Sequence, residues 1–419
     1  MIIEKPTQAV ILCGGRGTRL KPYTDNLPKP MVEVNGRPYL LYLIEQLSDE
    51  GITNILLLTG YKKEIISEYF IKLRKPGLNI QFSEGPVDWD TGKRIWEARK
   101  MIHENFLLLY SDNYAQFNLN ELLTFREKTN LPLTLTVAQK DKGNISLNEN
   151  LIVDQYDNQR KEQNLHFVEI GYMLVNLKSV LGYFETPEIN FSEIISSMVN
   201  DKQVSALIKD SGYLSISDPE RLELTREYFS SKKILLIDRD GTLNKKYPRG
   251  EYVKSWDDFI WMPRVKESLK ILASEGFKFI VISNQAGIAR NMISADQLNE
   301  ITMNFQKELS ILSVEILQTY ICPHHWDDGC ECRKPKPGLF FEASKDWLFR
   351  LDKALYIGDD ARDCQAAKNA GCKCIFLGTE DELKDLDKEE LPIAIHANLF
   401  DAIPIIKDYY KETQFNDNN

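Results

Sequence analysis

Short apolar runs rich in β-forming residues recur along the whole chain and alternate with amphipathic stretches. The runs are predicted strands, at Ala9–Cys13, Ile55–Thr59, Phe106–Tyr110, Leu133–Ala138, Ile234–Ile237, Phe279–Ile282, Ala354–Ile357 and Cys374–Leu377. Nearly continuous apolar runs are typical of strands buried on both faces of a parallel sheet. Amphipathic stretches such as Tyr39–Glu50 and Val265–Glu275 lie between them. The sequence therefore predicts an α/β protein with a Rossmann-like, doubly wound sheet in each half.

The length of the chain and one polar segment predict two domains. A chain of 419 residues can form two hydrophobic cores. Arg221–Phe229 is predicted to be a closing helix, and the polar residues 230–233 lie between it and a new strand. We therefore expect domains at residues 1–230 and 231–419.

Composition and charge exclude several classes of protein. The formal net charge of -10 provides no basic field for the phosphate backbone of nucleic acids. The start, Met1–Lys5, is charged and lacks the apolar core of a signal peptide, and no apolar run is long enough to span a bilayer. We expect a cytoplasmic protein whose partners are small molecules, with no nucleic acid and no membrane. The sequence carries no signal for the oligomeric state.

The first predicted strand runs directly into Gly14-Gly15-Arg16-Gly17-Thr18-Arg19. Glycines let the backbone approach phosphate oxygens closely, and free N–H groups can donate to them. Arg16 and Arg19 add forked donors that match phosphate geometry, and Lys29 adds an ammonium group on a stiff Pro-Lys-Pro loop. The pattern differs from a dinucleotide-binding loop and from a Walker loop, and it suits a nucleoside triphosphate.

With these motifs, residues 7–225 resemble the sugar-1-phosphate nucleotidyltransferases. The resemblance implies that the glycine loop and Arg16 hold the triphosphate, that Lys29 contacts phosphate and that Asp112 binds Mg²⁺. The reaction would be in-line attack of a sugar phosphate oxygen on the α-phosphate, with release of pyrophosphate. Catalysis would rest on positioning and on charge stabilisation.

The resemblance also implies the binding residues of this domain. Glu169 and Gly171 would belong to a sugar-binding segment, with Lys161 as a nearby phosphate ligand. Thr91 and Gly92 would lie near the nucleotide, in Asp90-Thr91-Gly92-Lys93-Arg94-Ile95. That stretch is as similar to the T-G-G-R-I of cytidylyltransferases as to the G-T-x-G-A of guanylyltransferases, so the base stays open.

The chain departs from this family near the end of the domain. The family pattern W-x-D-I-G-T-P-E carries a second metal-binding aspartate, whereas this chain has Ser215 in its place. A hydroxyl is a poorer Mg²⁺ ligand than a carboxylate. Three explanations stay open: Asp112 and the substrate phosphates hold the metal, Asp218 substitutes, or this half is catalytically weak.

The second half begins with a strand that ends in Asp238-Arg239-Asp240-Gly241-Thr242. Open α/β sheets bind ligands at the carboxyl ends of their strands. One carboxylate can attack phosphorus while the other exchanges protons, so that an aspartyl-phosphate forms and then breaks down. Two more predicted strands end in Ser283-Asn284-Gln285 and in Gly358-Asp359-Asp360. The pattern indicates phosphate-ester hydrolysis.

Residues 233–380 therefore resemble the haloacid-dehalogenase-type phosphatases. The resemblance implies that Asp238 is the nucleophile, Asp240 the acid and base, and Lys334 the neutralising cation. Ser283 would bind the phosphoryl group, next to Asn284. Mg²⁺ would be held by Asp238, the Asp240 carbonyl and Asp359, with Asp363 in support and Asp360 as a neighbour.

Four residues form the pattern C-x-H-x5-C-x-C: Cys322, His324, Cys330 and Cys332. Three thiolates and one imidazole suit a tetrahedral Zn²⁺ with no open position, so we expect a structural zinc. It would shape the loop that carries Lys334 and Arg333, a candidate substrate ligand. His325 is the competing ligand and is interpreted as a surface histidine.

This loop and the segment Arg333–Gly338 are similar to those of D-glycero-D-manno-heptose-1,7-bisphosphate 7-phosphatases. Histidinol-phosphate phosphatases share the zinc loop and stay open as an alternative for this domain. The heptose phosphatases produce a heptose 1-phosphate, which is the substrate class of the first domain. Similarity to the mannose and heptose guanylyltransferases favours GTP.

We therefore hypothesise a bifunctional enzyme that removes the 7-phosphate of D-glycero-α-D-manno-heptose 1,7-bisphosphate. It would then transfer GMP from GTP to the heptose 1-phosphate, giving GDP-heptose for surface glycans. The expected cofactors are Mg²⁺ in both domains and Zn²⁺ in the second. Two alternatives stay open: a phosphatase with a regulatory, non-catalytic nucleotide-binding domain, and a cytidylyltransferase or mannose-1-phosphate guanylyltransferase joined to a sugar phosphatase.

Overall fold

The computed structural model describes residues 5–73, 75–162, 164–209, 211–248 and 250–416. The chain divides into two compact units, Met1–Arg226 and Glu227–Asn419. The division lies inside the helix Pro219–Tyr228, close to the polar segment where the sequence predicts the boundary. The domain limits of 1–230 and 231–419 stay a prediction. In the described part of the chain, no helix has the length and apolar character needed to cross a bilayer.

The N-terminal unit alternates strands and helices. Its strands are β1 (Gln8–Cys13), β2 (Glu33–Val34), β3 (Arg37–Pro38), β4 (Asn54–Thr59), β5 (Asn79–Glu84), β6 (Asn105–Tyr110), β7 (Asn113–Tyr114), β8 (Leu133–Gln139), β9 (Ile145–Leu147), β10 (Val153–Tyr156), β11 (Phe167–Asn176), β12 (Val204–Ile208) and β13 (Leu214–Ser215). Its helices are α1 (Tyr39–Asp49), α2 (Lys63–Leu73), α3 (Thr91–Ala98), α4 (Leu119–Thr129), α5 (Leu177–Leu181), α6 (Phe191–Asn200) and α7 (Pro219–Tyr228).

The main sheet of this unit has the order β10-β9-β11-β6-β1-β4-β5, and β8 pairs with β11 and β12. Strands β6, β1, β4 and β5 are parallel, and the first three of them are predicted from the sequence. The α/β prediction is confirmed for this unit, whose sheet is mixed because β11 runs antiparallel to both β6 and β8. The long strand β11 is not among the predicted strands. Its first half alternates between buried and half-buried positions and so lacks a continuous apolar run.

The C-terminal unit contains one parallel sheet covered by helices. Its strands are β14 (Ile234–Ile237), β15 (Lys278–Asn284), β16 (Ile316–Cys322), β17 (Leu355–Gly358), β18 (Lys373–Leu377) and β19 (Ala394–His396), in the order β16-β15-β14-β17-β18-β19. Its helices are α8 (Val265–Ser274), α9 (Ala295–Ile311), α10 (Gly338–Trp347), α11 (Ala361–Ala370) and α12 (Leu399–Asn416). The α/β prediction is confirmed for this unit.

Burial explains why β14 is the central strand of this sheet. All four of its residues are buried, and it pairs in parallel with β15 on one side and β17 on the other. Side chains from its two faces enter two separate apolar clusters, with Leu235 and Ile237 in one and Ile234 and Leu236 in the other. The carboxyl ends of β14, β15 and β17 therefore meet at one edge of the sheet.

Candidate active sites

Lys334 lies at the centre of the candidate phosphatase site. Its Nζ is 2.6 Å from Asp238 Oδ1 and 2.7 Å from Asp363 Oδ1, and it also contacts the Tyr356 hydroxyl at 2.6 Å. The ammonium group is buried, with the Ile282 carbonyl as a further acceptor at 3.1 Å. Burial alone lowers the pKa of Lys334, but the two carboxylates outweigh it and raise this pKa above its ordinary value. The site therefore holds a permanently charged cation against Asp238.

Three carboxylates surround this cation. Ligand oxygens of Asp238, Asp359 and Asp363 lie within 4.8 Å of one another. Burial raises the pKa of Asp238, and the other two carboxylates raise it further, while Lys334 opposes the shift. Burial also raises the pKa of Asp359 to about 6, although Lys246 lies 2.8 Å from its Oδ2. The Oδ1 atom of Asp359 is buried without a hydrogen-bond partner in the described residues. The cluster has more negative charge than its cations balance, so its donor set fits a divalent cation.

Backbone geometry brings these carboxylates together. Gly241 has a φ of 100°, and a Cβ at this position would lie 2.2 Å from Asp359 Oδ2. Only glycine permits both the left-handed backbone and this close approach. Asp363 forms a capping box with Asp360 at the start of α11, and its Oδ2 accepts from the backbone N–H groups of Asp359 and Asp360. The aspartate that contacts Lys334 therefore also fixes the loop after β17.

Asp240 is held by three side chains that the sequence analysis did not select. Arg239 donates to its carboxylate at 2.9 Å, Gln285 donates at 2.6 Å and Asn244 at 3.0 Å. Burial raises the pKa of Asp240, but these donors outweigh it and hold the pKa below its ordinary value. Gln285 lies at the end of a predicted strand, so the sequence indicates its position. Arg239 is the middle residue of the D-x-D pattern and is only 1% exposed, and no sequence pattern predicts this burial.

Ser283 and Asn284 are the last two residues of β15. Ser283 Oγ accepts from Gln285 Nε2 at 2.8 Å, and the residue lines the same cavity as Asp238. Asn284 forms two hydrogen bonds with the backbone of Lys334, donating to its carbonyl and accepting from its N–H, each at 3.1 Å. Asn284 also lines the cavity, so it can fix Lys334 and still face a ligand.

The four residues of the predicted zinc site converge. The sulfur and nitrogen ligand atoms of Cys322, His324, Cys330 and Cys332 lie within 4.8 Å of one another. Cys322 is buried at the end of β16, and His324 Nδ1 is 3.1 Å from Cys332 Sγ. His325 instead packs against Trp326, with ring centroids 3.8 Å apart. This Cys/His cluster can bind a metal ion, and its donor set is typical of zinc.

The phosphatase residues open into a cavity of about 540 Å³. Trp326 and Tyr252 line it with aromatic rings, and Arg333 and Lys246 add positive charge. Arg333 is among the ligands predicted from the sequence, whereas Lys246, Tyr252 and Trp326 are not. Lys246 and Tyr252 lie in the loop after β14, and Trp326 lies in the loop after β16. No periodic pattern identifies side chains that loops direct into a cavity.

In the N-terminal unit, the glycine loop lies on a buried arginine. Arg94 is 5% exposed and donates to the carbonyls of Thr59 and Pro86, each at 2.7 Å, and to that of Gly14 at 3.5 Å. A Cβ at Gly14 would lie 2.1 Å from the Arg94 guanidinium carbon. Gly17 has a φ of 62° and lies against the Lys29 side chain. Arg94, which the sequence analysis did not select, explains why the loop starts with glycine.

Lys29 and Asp112 meet in this site. Lys29 Nζ donates to Asp112 Oδ2 at 2.5 Å, and both residues line a cavity of about 450 Å³. The residues of the glycine loop that line it are Gly14, Gly15, Gly17, Thr18 and Arg19. Arg16 is exposed and does not belong to this lining, and its guanidinium lies 5.7 Å from the Tyr61 ring.

Other predicted residues of this unit take different positions. Thr91 lines the cavity, and its hydroxyl forms a hydrogen bond with Asn190. Gly92 is buried, and a Cβ there would lie 2.1 Å from the Ile189 carbonyl oxygen, so the backbone packs too closely for a side chain. Lys161 is exposed in the loop that Asp157 caps, and the cavity lining does not include it. The structure therefore gives Gly92 a packing role and leaves Lys161 away from the cavity.

Glu169 and Gly171 lie on β11, next to β6. Burial raises the pKa of Glu169 to about 7, and Tyr156 lies 3.5 Å from its Oε2. Gly171 has a φ of 87° and contacts Tyr110, which lines the cavity. Both residues therefore lie on the strand that pairs with β6, and Asp112 follows β6 in the chain.

Ser215, at the family's second aspartate position, is buried. Its hydroxyl is 3.0 Å from that of Ser217, and Arg221 donates to both hydroxyls. Ser217 lines the cavity with Asp112, whereas Asp218 contacts Arg221 and is not part of the lining. Hydroxyls therefore occupy the region where the related enzymes carry a carboxylate.

Comparisons with known proteins agree with these two sites. The family model described as nucleotidyl transferase matches residues 8–158, and the model described as polynucleotide kinase 3 phosphatase matches residues 233–398. The chain is 31% identical over 215 residues to the D-glycero-alpha-D-manno-heptose 1-phosphate guanylyltransferase of Campylobacter jejuni, which covers 51% of this chain and 96% of the relative.

Two phosphatases match the C-terminal half. The D-glycero-beta-D-manno-heptose-1,7-bisphosphate 7-phosphatase of Bordetella bronchiseptica is 32% identical over 160 residues, 38% of this chain and 88% of the relative. The D-glycero-alpha-D-manno-heptose-1,7-bisphosphate 7-phosphatase of Photorhabdus laumondii is 33% identical over 152 residues, 35% of this chain and 81% of the relative. Phosphatases named for either anomer are thus similar to this half.

Fold, sites and comparisons together define a nucleotidyltransferase joined in one chain to a haloacid-dehalogenase-like phosphatase. Each half matches most of the length of its relatives. The chain belongs, through its N-terminal half, to the D-glycero-alpha-D-manno-heptose 1-phosphate guanylyltransferase family and, through its C-terminal half, to the D-glycero-D-manno-heptose-1,7-bisphosphate 7-phosphatase family. Both activities are supported, and the alternative of a regulatory, non-catalytic first domain is not favoured.

Proposed function

We propose that the chain removes the 7-phosphate of D-glycero-α-D-manno-heptose 1,7-bisphosphate and then transfers GMP from GTP to the heptose 1-phosphate. The observation that carries the proposal is the presence of both site types in one chain, because the product of one is the substrate of the other. The α-anomer rests on the guanylyltransferase relative, since phosphatase relatives of both anomers match. The product, GDP-heptose, would serve surface glycan synthesis in the cytoplasm, where GTP is available.

In the phosphatase site, we assign Asp238 as the nucleophile. One of its carboxylate oxygens bonds to phosphorus while the bond to the sugar O7 breaks, and Lys334 neutralises the phosphoryl oxygens. The departing oxygen takes a proton from Asp240. Asp240 then accepts a proton from the water that breaks the aspartyl-phosphate.

In the transferase site, we assign the backbone N–H groups of the glycine loop and the side chain of Arg19, which lines the cavity, to the triphosphate. An oxygen of the sugar 1-phosphate attacks the α-phosphorus, and pyrophosphate leaves as the bond to the β-phosphate breaks. Lys29 lies beside Asp112 and can move its ammonium group from that carboxylate to a phosphate. We assign Arg16 to the triphosphate as well, because it lies on the same exposed loop.

Our cofactor assignments rest on the donor atoms in the two sites and in the Cys/His cluster. Mg²⁺ would be held in the phosphatase by Asp238, the Asp240 carbonyl and Asp359, and in the transferase by Asp112 with the substrate phosphates. When bound, the cation would stabilise negative charge on the phosphate oxygens. Zn²⁺ on the Cys/His cluster would be structural, because four protein ligands fill its tetrahedral shell. We assign residues 1–230 to the transferase and 231–419 to the phosphatase.

A single incubation tests the proposal. The purified chain receives Mg²⁺, all four nucleoside triphosphates and either anomer of the heptose 1,7-bisphosphate, and mass spectrometry follows the products. We expect GDP-heptose from the α-anomer. A CDP-sugar or ADP-sugar as main product would contradict the base assignment, and heptose 1-phosphate as the end product would contradict the transferase assignment.

A further inference from the structure

The order of the strands divides the nucleotide cavity into two sides. The glycine loop follows β1, in the middle of the order β11-β6-β1-β4-β5. Asp112 follows β6 on one side, where β11 also lies with the proposed sugar segment. The segment Asp88–Trp89–Asp90 follows β5 on the other side and lines the same cavity. If phosphates occupy the middle and the sugar one side, the base has to occupy the side of this segment.

A single guanidinium holds this segment next to the glycine loop. Arg94 donates to the carbonyl of Pro86 at 2.7 Å and to that of Gly14 at 3.5 Å. Both bonds come from the same nitrogen, and the guanidinium is buried. The backbone N–H of Arg94 also donates to the carbonyl of Asp90 at 3.1 Å. Arg94 therefore connects the phosphate loop to Pro86, just before the segment, and to Asp90 at its end.

The indole of Trp89 has the properties of a stacking surface. It lies so close to Gly85 that a Cβ there would be 2.3 Å from the ring, so one part of the indole is supported by backbone. Lys93 Nζ lies 5.6 Å from the same ring. The residue is half-buried and lines the cavity, which leaves ring surface for a base. Stacking on an aromatic ring is favourable for every base and does not select one.

Selection between bases requires the neighbouring carboxylates. Asp88 and Asp90 are exposed, and within the described part of the chain neither side chain forms a hydrogen bond or ion pair. An ionised carboxylate only accepts hydrogen bonds, through two oxygens. Guanine offers two adjacent donors, N1–H and the 2-amino group, whereas adenine, cytosine and uracil do not offer such a pair.

We propose that the segment Asp88–Trp89–Asp90 selects guanine in the transferase site. Trp89 stacks on the base, and the carboxylate of Asp88 or Asp90 accepts both N1–H and the 2-amino group. The inference rests on the proposed function, because it assigns residues to the choice of GTP. It adds specificity determinants that precede Thr91 and Gly92, none of which is among the binding residues predicted from the sequence.

Nucleotide analogues test the carboxylates. The variants are Asp88→Asn, Asp90→Asn and, as matched control on an exposed aspartate outside the cavity, Asp141→Asn. Release of pyrophosphate is measured with heptose 1-phosphate and with GTP, ITP, which lacks the 2-amino group, or XTP, which has a carbonyl there. We expect one of the two cavity variants to lose about tenfold or more in kcat/KM for GTP and to prefer XTP, because an amide can donate to that carbonyl. Asp141→Asn should keep the wild-type order.

Trp89→Ala and Trp89→Phe test the stacking surface. We expect alanine to raise KM for GTP and ITP alike by about tenfold, and phenylalanine to restore most of the affinity. Thermal unfolding of each preparation, with both units followed, serves as the folding control, because the phosphatase residues lie in the other unit. Unchanged GTP:ITP:XTP ratios in both aspartate variants, or unchanged KM in Trp89→Ala, would overturn the inference. A wild-type chain that does not use GTP would instead overturn the proposed function, so the two failures are distinguishable.

Discussion

The two candidate sites handle phosphate with opposite arrangements of charge. In the phosphatase site, Asp238, Lys334 and Asp363 are 7%, 4% and 1% exposed, and the Lys334 ammonium contacts both carboxylates. In the transferase site, Arg16 and Arg19 are exposed, and the Lys29–Asp112 pair is only partly buried. One site is therefore assembled before substrate arrives, whereas the other leaves its main charges in solvent.

The difference follows from the chemistry that each site performs. A carboxylate nucleophile must be held at bonding distance from phosphorus with its charge already balanced, which favours burial and fixed partners. A triphosphate brings a large charge of its own, so exposed arginines on a glycine loop can close around it. Substitutions in the phosphatase site should therefore produce larger effects than those in the transferase loop.

The largest expected effect is that of Asp238→Asn. An amide cannot form the aspartyl-phosphate, so phosphate release should fall by about 10³-fold or more while nucleotidyl transfer to supplied heptose 1-phosphate is kept. Release of inorganic phosphate and of pyrophosphate would be measured separately. Asp257→Asn, on an exposed aspartate of the same unit, is the control. Equal loss of both activities in a folded variant would contradict independent sites.

Arg16→Ala should produce the reverse pattern with a smaller effect. The exposed guanidinium is one of several cations around the triphosphate, so we expect nucleotidyl transfer to fall by about 10- to 100-fold. Phosphatase activity, measured in the same sample, should not change. A loss below about twofold would mean that Arg16 stays beside Tyr61 and does not contact substrate.

Cys330→Ser tests the loop that contains the Cys/His cluster and leads into Lys334. We expect the bound zinc to fall, and phosphate release to fall by about tenfold, because the loop that carries Lys334 loses its anchor. Elemental analysis gives the metal content. His325→Ala should keep the metal, since the ring packs against Trp326. Unchanged metal in Cys330→Ser, or lost metal in His325→Ala, would overturn the ligand assignment.

The smallest effect concerns Glu169, a half-buried carboxylate on β11. Glu169 has a pKa of about 7, raised from 4.5 by burial. Its contribution to stability is complete below about pH 4.5 and is lost as pH rises through about 7, because the folded state binds the extra proton in that window. The N-terminal unit should lose about 1–3 kcal/mol over this range, and Glu169→Gln should lose less. Urea unfolding at several pH values measures the free energy of unfolding. The same pH dependence of this free energy in the wild type and in Glu169→Gln would contradict the raised pKa.

The sequence predicted the phosphatase half better than the transferase half. Strands, nucleophile position and metal loop follow local patterns, because parallel strands must end at one edge and metal ligands recur at fixed spacing. The antiparallel strand β11 was missed because the first half of its sequence alternates between buried and half-buried positions. The residues that the analysis missed, such as Arg94 and Arg239, are buried charges whose partners are backbone carbonyls or neighbouring side chains. No spacing rule reveals such contacts, which exist only in the folded chain.

The most direct test of the bifunctional assignment is a ³¹P NMR time course on the wild-type chain with D-glycero-α-D-manno-heptose 1,7-bisphosphate, GTP and Mg²⁺. Inorganic phosphate should appear first, followed by pyrophosphate and GDP-heptose in equal amounts. Asp238→Asn should block all three signals, and Arg16→Ala should slow only the last two. Inorganic phosphate without pyrophosphate in the wild type, or pyrophosphate from the bisphosphate in Asp238→Asn, would contradict two consecutive reactions in one chain.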